Sequence, residues 1–119
     1  MSPLPHRLVK MEGDVIAMQV LIYCRRETDL ALLQEDSVRL CQYAIQQQHQ
    51  ISSVLLELDA GVFAKRLGIY EIRRQLQAGW AEGLLLQDYA VLALSEDVRR
   101  QILDMLQGYP ILLAGLDSF

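Results

Sequence analysis

Between residues 24 and 28 a thiol, two guanidinium groups, a carboxylate and a hydroxyl stand in succession, Cys24-Arg25-Arg26-Glu27-Thr28, directly after an apolar run. Three kinds of chemistry could use them. Arg25 and Arg26, gathered with Lys65 and Arg66 at neighbouring strand ends, could hold a phosphate or an acidic group of a partner, because crevices at the carboxyl ends of parallel strands favour such sites. The other reading is ion pairing with Glu27, Glu57 and Asp59. Glu27 could act as a general acid or base if partly buried. Beside two arginines it is otherwise an ionised, salt-bridged carboxylate, and no second catalytic group accompanies it. Cys24 could be a reactive thiol next to those arginines. On a buried strand it is instead a small core hydrophobe, as Cys41 is on the apolar face of a helix.

Several other chemistries lack their residues. Two cysteines give neither a metal spacing nor a disulfide framework, and His6 and His49 are not at ligand spacing. There is no Gly-x-Gly-x-x-Gly and no Gly-x-x-x-x-Gly-Lys loop to cradle a nucleotide. A phospho-receiver would carry paired acids where Arg25-Arg26 stands. No metal and no cofactor are expected.

The elements that position these groups follow from apolar spacing. Residues 1–14 lack periodicity and read as a loose leader, leaving residues 15–119 as a single domain. Ile16 to Tyr23 is a near-continuous apolar run, as in a strand covered on both faces. Leu30 to Gln48 has helical spacing, with Leu33, Val38, Cys41, Ala44 and Ile45 on one face and Gln34, Glu35, Arg39, Gln42 and Gln46 wet. Ile51 to Leu58 is a second strand, broken by Asp59-Ala60-Gly61. A helix over 69–78 ends at Gly79, with Trp80 as the contact after the cap. Gly83 to Gln87 is a third strand. Ser95 caps a helix running to Gln107, with Val98, Ile102, Leu103 and Leu106 inward. Ile111 to Ala114 is a fourth strand. This alternation predicts an α/β domain, a four-stranded, mainly parallel sheet flanked by helices.

Composition restricts the function. A chain of 119 residues can bury about two thirds of the surface it exposes when unfolded, enough for one core. A net charge of −4 and a pI near 5.0 count against sequence-independent nucleic-acid binding, which is largely electrostatic and usually leaves a basic domain. Arg73-Arg74 and Arg99-Arg100 have acidic neighbours in Glu71, Glu96 and Asp97, so they read as solvated faces with local ion pairs. The run ending at Tyr23 is too short to span a bilayer and no signal-peptide pattern precedes it, so a cytoplasmic protein without a membrane is expected.

The stretch Tyr23-Cys24-Arg25-Arg26-Glu27-Thr28 resembles the first strand and nucleophile loop of resolvase/invertase-type serine recombinases, where Tyr-x-Arg-x-Ser-Thr carries the serine that attacks a DNA phosphate. Arg39 to Ala44 is similar to that family's first helix, and Asp59-Ala60-Gly61-Val62 to the start of its mobile loop. Leu84-Leu85-Leu86 is similar to the strand before its Asp-Arg-Leu-Ser-Arg segment. The likeness covers about residues 16–116 and implies a resolvase catalytic-domain-like fold. It also marks departures. Glu27 occupies the nucleophile's position, and a carboxylate repels a phosphodiester. Val91 and Leu94 replace both arginines of the active-site segment, Phe63-Ala64 its Ser-Gly and Ile69-Tyr70 its Arg-Pro. Phosphoryl transfer needs positive groups around the phosphate oxygens, and of that cage only Arg25 persists. Family members continue into a long helix and a DNA-binding domain, whereas this sequence ends at Phe119.

Together these readings lead to an expectation of a catalytically inactive resolvase-like pseudoenzyme serving as a protein-interaction or regulatory module, tied to DNA recombination through the resemblance. Tyr89, Val91, Leu92 and Leu94 make an apolar loop where the family is charged. Exposed, they form a surface for a protein partner or for self-association; covered, they are core. Two alternatives stand beside this expectation: a nucleic-acid accessory protein with weak DNA affinity through Arg25, Arg26, Lys65 and Arg66, and an enzyme of different chemistry using Glu27.

Overall fold

Strand β1 (Gln19–Arg26) is apolar through most of its length because neighbours surround it on every side. In the computed structural model, which describes residues 17–58 and 67–115, it is followed by α1 (Leu30–Gln46), β2 (Gln50–Leu58), α2 (Leu67–Ala78) and β3 (Gly83–Leu86). A 3₁₀ turn (Tyr89–Leu92), α3 (Glu96–Met105) and β4 (Ile111–Leu113) complete the order. The fold is α/β. Its sheet is parallel throughout the four strands, in the order β2-β1-β3-β4. The leader, the segment from Asp59 to Arg66 and residues 116–119 lie outside the described residues.

Alternation along β1 divides the core in two. Leu21 and Tyr23 face α2, α3 and the 3₁₀ turn, with Ile69, Ile72, Leu76, Leu92, Ile102 and Leu106. Val20, Ile22 and Cys24 face α1, with Leu33, Leu40 and Ala44. Residues two apart on a strand share a face, so the apolar run of β1 supplies both layers. The strand extends further than the run does, through Arg25 and Arg26, which pair in register with Glu57 and Leu58 of β2.

The inward stripe of α1 differs from the expected one. Leu33, Asp36, Leu40 and Ala44 point in, spaced three and four apart. Val38 and Ile45 are exposed, about 100° per residue around the helix from that stripe. The correction has a plain cause: α1 carries apolar residues on two flanks, and only contact with the sheet selects one. On α3, Ile102 and Leu106 are buried as expected, Leu103 is partly buried, and Val98 is exposed.

Helix α2 is tied to the sheet by polar contacts at both ends. The fully buried Tyr23 donates its hydroxyl hydrogen bond to Glu57. The same carboxylate accepts from the backbone N–H of Gly68 at 3.1 Å, in the first turn, where N–H groups lack helical partners. A Cβ at residue 68 would lie 2.9 Å from Glu57 Oε1 and 3.0 Å from Tyr23 Cε1, so this approach depends on glycine. Further along, Ser53 Oγ donates to Gln75 Oε1 (2.7 Å), and Gln75 Nε2 donates to Glu71 Oε2 (2.8 Å). Arg74 forks onto Glu71 at 2.9 and 2.6 Å.

The helix ends as the Gly79-Trp80 pair suggested. Gly79 has φ +80°, its N–H donates to Leu76 O, and the Trp80 N–H donates to Gln75 O, the paired bonds of a Schellman cap. The Trp80 ring is exposed, and the Arg74 guanidinium lies over it at 4.6 Å from the centroid.

This arrangement has a pH consequence. Hydrogen bonds from Arg74, and then from Gln75, lower the Glu71 carboxyl from 4.5 to about 2. A carboxyl depressed on folding contributes stability that is fully present above its unfolded value and is lost as pH falls through its folded value. The loss should therefore run from about pH 4.5 down to about pH 2. Thermal melts across that window should fall more steeply for the native chain than for Glu71→Gln. Parallel curves would mean that the fork onto Glu71 does not persist in solution.

Among the described residues no helix is long and apolar enough to cross a membrane.

Candidate functional site

At the carboxyl ends of β1 and β3 lies a cleft of about 410 Å³, between the segment from Arg25 to Asp29 on one side and that from Gln87 to Val91 on the other. It forms there because β1 and β3 are adjacent while their following segments diverge to opposite layers, β1 into α1 and β3 into the 3₁₀ turn. Such a divergence is where open parallel sheets place their binding sites. The chain turns sharply on both sides. Asp29 accepts from the Leu32 N–H at 3.0 Å and caps α1, and Asp88 accepts from the Ala90 N–H at 2.9 Å and caps the 3₁₀ turn.

Arg25, Arg26, Glu27, Asp29, Asp36, Asp88 and Val91 all line this cleft. Among the described residues its charge balance is the reverse of a phosphate cage, with four carboxylates against two guanidinium groups. Arg26 Nε and Nη2 donate to Asp36 Oδ2 and Oδ1 at 2.7 and 3.0 Å, a bidentate fork. Arg39 Nη2 donates to Asp36 Oδ1 at 2.8 Å. The Asp36 side chain is only 7% exposed, so this carboxylate is buried and satisfied from two sides. Arg25 is buried, with Nη2 3.9 Å from Glu27 Oε2, and Glu27 is itself exposed.

Arg26 takes a partner the sequence reading did not include, Asp36 on α1, while Arg25 lies beside Glu27. Glu57 accepts from Tyr23 and Gly68 on the other face of the sheet. Lys65 and Arg66, the other half of the expected anion site, lie outside the described residues, as does Asp59. Asp36 was the residue that sequence reasoning missed. The signal for it was its position, three after Leu33 and four before Leu40 on the inward stripe. A carboxylate there requires a cationic partner from the sheet.

The apolar loop is divided by the fold. Leu92 is fully buried in the core with α2 and α3, and Val91 packs partly buried against it. Leu92 is therefore a core residue and cannot itself contact a partner. Tyr89 and Leu94 remain outside, 41% and 71% exposed. Leu94 does not line the cleft. Its backbone is held by Arg99 of α3, whose Nε donates to Ala93 O at 2.9 Å and whose Nη2 donates to Leu94 O at 3.0 Å. Arg99 thus secures the loop, in place of the solvated ion pair expected of it.

The thiols are placed as core residues. Burial, then the charge of Asp36, pushes Cys24 up to about 12, and burial also raises Cys41. At neutral pH Cys24 is a protonated thiol with little nucleophilic character. Alkylation of the folded protein should modify the partly buried Cys41 well before Cys24. Equal rates would restore the reactive-thiol reading. His49 Nδ1 accepts from the Met18 N–H at 3.2 Å, and among the described residues no group of His, Cys, Asp or Glu could hold a metal ion.

Compared with known proteins, the chain matches no family model, no curated protein and no solved structure.

Proposed function

We propose that this domain is a resolvase-like module without strand-exchange chemistry, acting through protein interaction or as a regulatory subunit. One observation carries the reading: at the position where a recombinase would hold a phosphate, both arginines face carboxylates, Arg26 on Asp36 and Arg25 beside Glu27. A phosphodiester entering this cleft would meet Glu27, Asp29 and Asp88 and would have to compete with Asp36 for Arg26. That cost falls on the nucleic-acid accessory reading as well as on catalysis. Leu94 and Tyr89, exposed on a segment fixed by Arg99 and Asp88, supply a rigid apolar surface nearby. Fixed surfaces bind with less ordering cost than loose ones.

The test is a titration with linear and supercoiled duplex DNA at low and then physiological salt, followed by a denaturing gel. The expected result is no binding at physiological salt and no covalent adduct. An adduct would overturn the assignment of lost chemistry. Salt-sensitive binding that disappears in Arg25→Ala would move the assignment to the accessory role.

A further inference from the structure

The two amides at the entry to β1 donate to side chains. The Met18 N–H donates to His49 Nδ1 at 3.2 Å, and the Gln19 N–H donates to Glu82 Oε1 at 2.8 Å. Both residues are also tied to their neighbours through their carbonyls. The Gln50 N–H donates to Met18 O at 3.0 Å, and the Glu82 N–H donates to Gln19 O at 2.9 Å. Met18 is thus held on the β2 side and Gln19 on the β3 side. At each, an ionisable side chain takes the place that a backbone carbonyl fills further along a parallel ladder.

The backbone that carries His49 is fixed. Gln48 has φ +67°, in the left-handed position usually given to glycine. Its N–H donates to Ile45 O at 2.9 Å, and the His49 N–H donates to Ala44 O at 2.9 Å. These are the paired bonds of a Schellman cap, so the end of α1 sets the ring against Met18. A backbone amide can only donate, so the ring atom facing it must carry a lone pair. That defines a neutral imidazole with its proton on Nε2. The protonated ring has a hydrogen on both nitrogens and accepts nothing, whereas a carboxyl group keeps an acceptor oxygen even when protonated. Acid therefore abolishes the His49 contact and leaves Glu82 able to keep its own.

We propose that His49 is an acid-operated latch on the amino end of the sheet: the neutral ring holds Met18 in line beside β2, and the imidazolium releases it. The latch lies at the opposite end of β1 from the cleft and is independent of the function proposed for that site. It acts where residues 1–16 join the sheet. Of the described elements at this corner, β1 brings Met18 and Gln19, β2 brings Gln50, and the end of α1 brings residues 44–48, none of them ionisable. The segment before β3 brings Glu82, to the adjoining amide. The ring is half-buried, and burial lowers the imidazole below its ordinary 6.5. A base lowered on folding contributes stability that is fully present above its unfolded value and is lost as pH falls through its folded value. Opening therefore begins below pH 6.5, before the Glu71 window is reached at about pH 4.5.

Nuclear magnetic resonance of the isotope-labelled full chain, from about pH 8 to about pH 5, tests the latch. The His49 ring should titrate below 6.5, and hydrogen-exchange protection of the Met18 amide should fall with the same midpoint. The expected loss is about fivefold, the factor that corresponds to one ordinary hydrogen bond. The Leu85 amide in β3 should keep its protection, which separates a local opening from unfolding. His49→Gln, whose amide oxygen can accept the same bond at any pH, should remove the step. A Met18 amide indifferent to the ring, a step that persists in His49→Gln, or a loss shared by Leu85 would each overturn the latch. Should the variant fail to fold, the ring and amide midpoints of the native chain still decide: coincident midpoints support the latch and separate ones refute it.

Discussion

Leu92→Asp should prevent folding, while Leu94→Asp, two residues further on, should melt within a few degrees of the native chain. The contrast follows from where the loop places each side chain. Leu92 is fully enclosed by residues of α2, α3 and β1. Removing such a leucine costs about 2–5 kcal/mol, and burying an unpaired charge in its place costs several more. The sum rivals the whole stability of an ordinary domain, about 5–15 kcal/mol. Leu94 is largely exposed, and surface substitutions change stability by about 0.5 kcal/mol or less. Circular dichroism melts of the two variants decide the matter. If Leu94→Asp also unfolds the domain, Leu94 is structural and the proposed partner surface disappears. If it folds normally, proteins retained by the native chain and released by the variant identify the partner.

The second large effect centres on Asp36. Replacing Arg26 and Arg39 together by Met leaves a buried carboxylate without either guanidinium that now donates to it. Breaking a buried pair from one side typically costs about 3–5 kcal/mol. Arg26 and Arg39 are each about one third exposed, so solvent screening should place this case at the lower end, about 3 kcal/mol. Adding Asp36→Leu should recover most of that loss, because an apolar group in an apolar setting has no charge to desolvate. Urea unfolding of the native, double and triple variants measures both steps. A double variant as stable as the native chain would show that Asp36 is reached by water and that the buried fork does not hold α1 to β1.

Those two residues also show what the sequence could and could not reveal. The strands and helices were legible because uninterrupted apolar runs and helical spacing survive any packing arrangement. The boundaries of β1 were less so. Its apolar run begins near Ile16, yet pairing with β2 carries the strand through Arg25 and Arg26, which is a property of the neighbour. On α1, Val38 and Ile45 were as apolar as Leu33 and Leu40, and only the sheet distinguishes the two flanks. The carboxyl ends of the strands were legible as the place for a site, but the expected cluster drew on the first and second strands, whereas the cleft lies between the ends of β1 and β3, where Arg25, Arg26, Glu27 and Val91 meet. Its charge was not legible. The carboxylates described in it come from α1 and from the caps Asp29 and Asp88 as well as from the strand end. Likewise, Leu92 and Leu94 look alike in sequence, and a single 3₁₀ turn sends one inward and leaves the other out.

The cap on α2 gives the protein an internal spectroscopic reporter with a limited view. Trp80 is the only tryptophan in the chain, and it sits outside the core beneath Arg74, which is in turn forked onto Glu71. Its emission should already be red-shifted in the native state and should respond to the detachment of that helix end, through the loss of the overlying guanidinium. Far-ultraviolet dichroism instead follows every helix at once. Superimposable denaturation curves from the two signals would mark the domain as one cooperative unit. An earlier fluorescence transition would identify the C-terminal turn of α2 as the first part of the molecule to open.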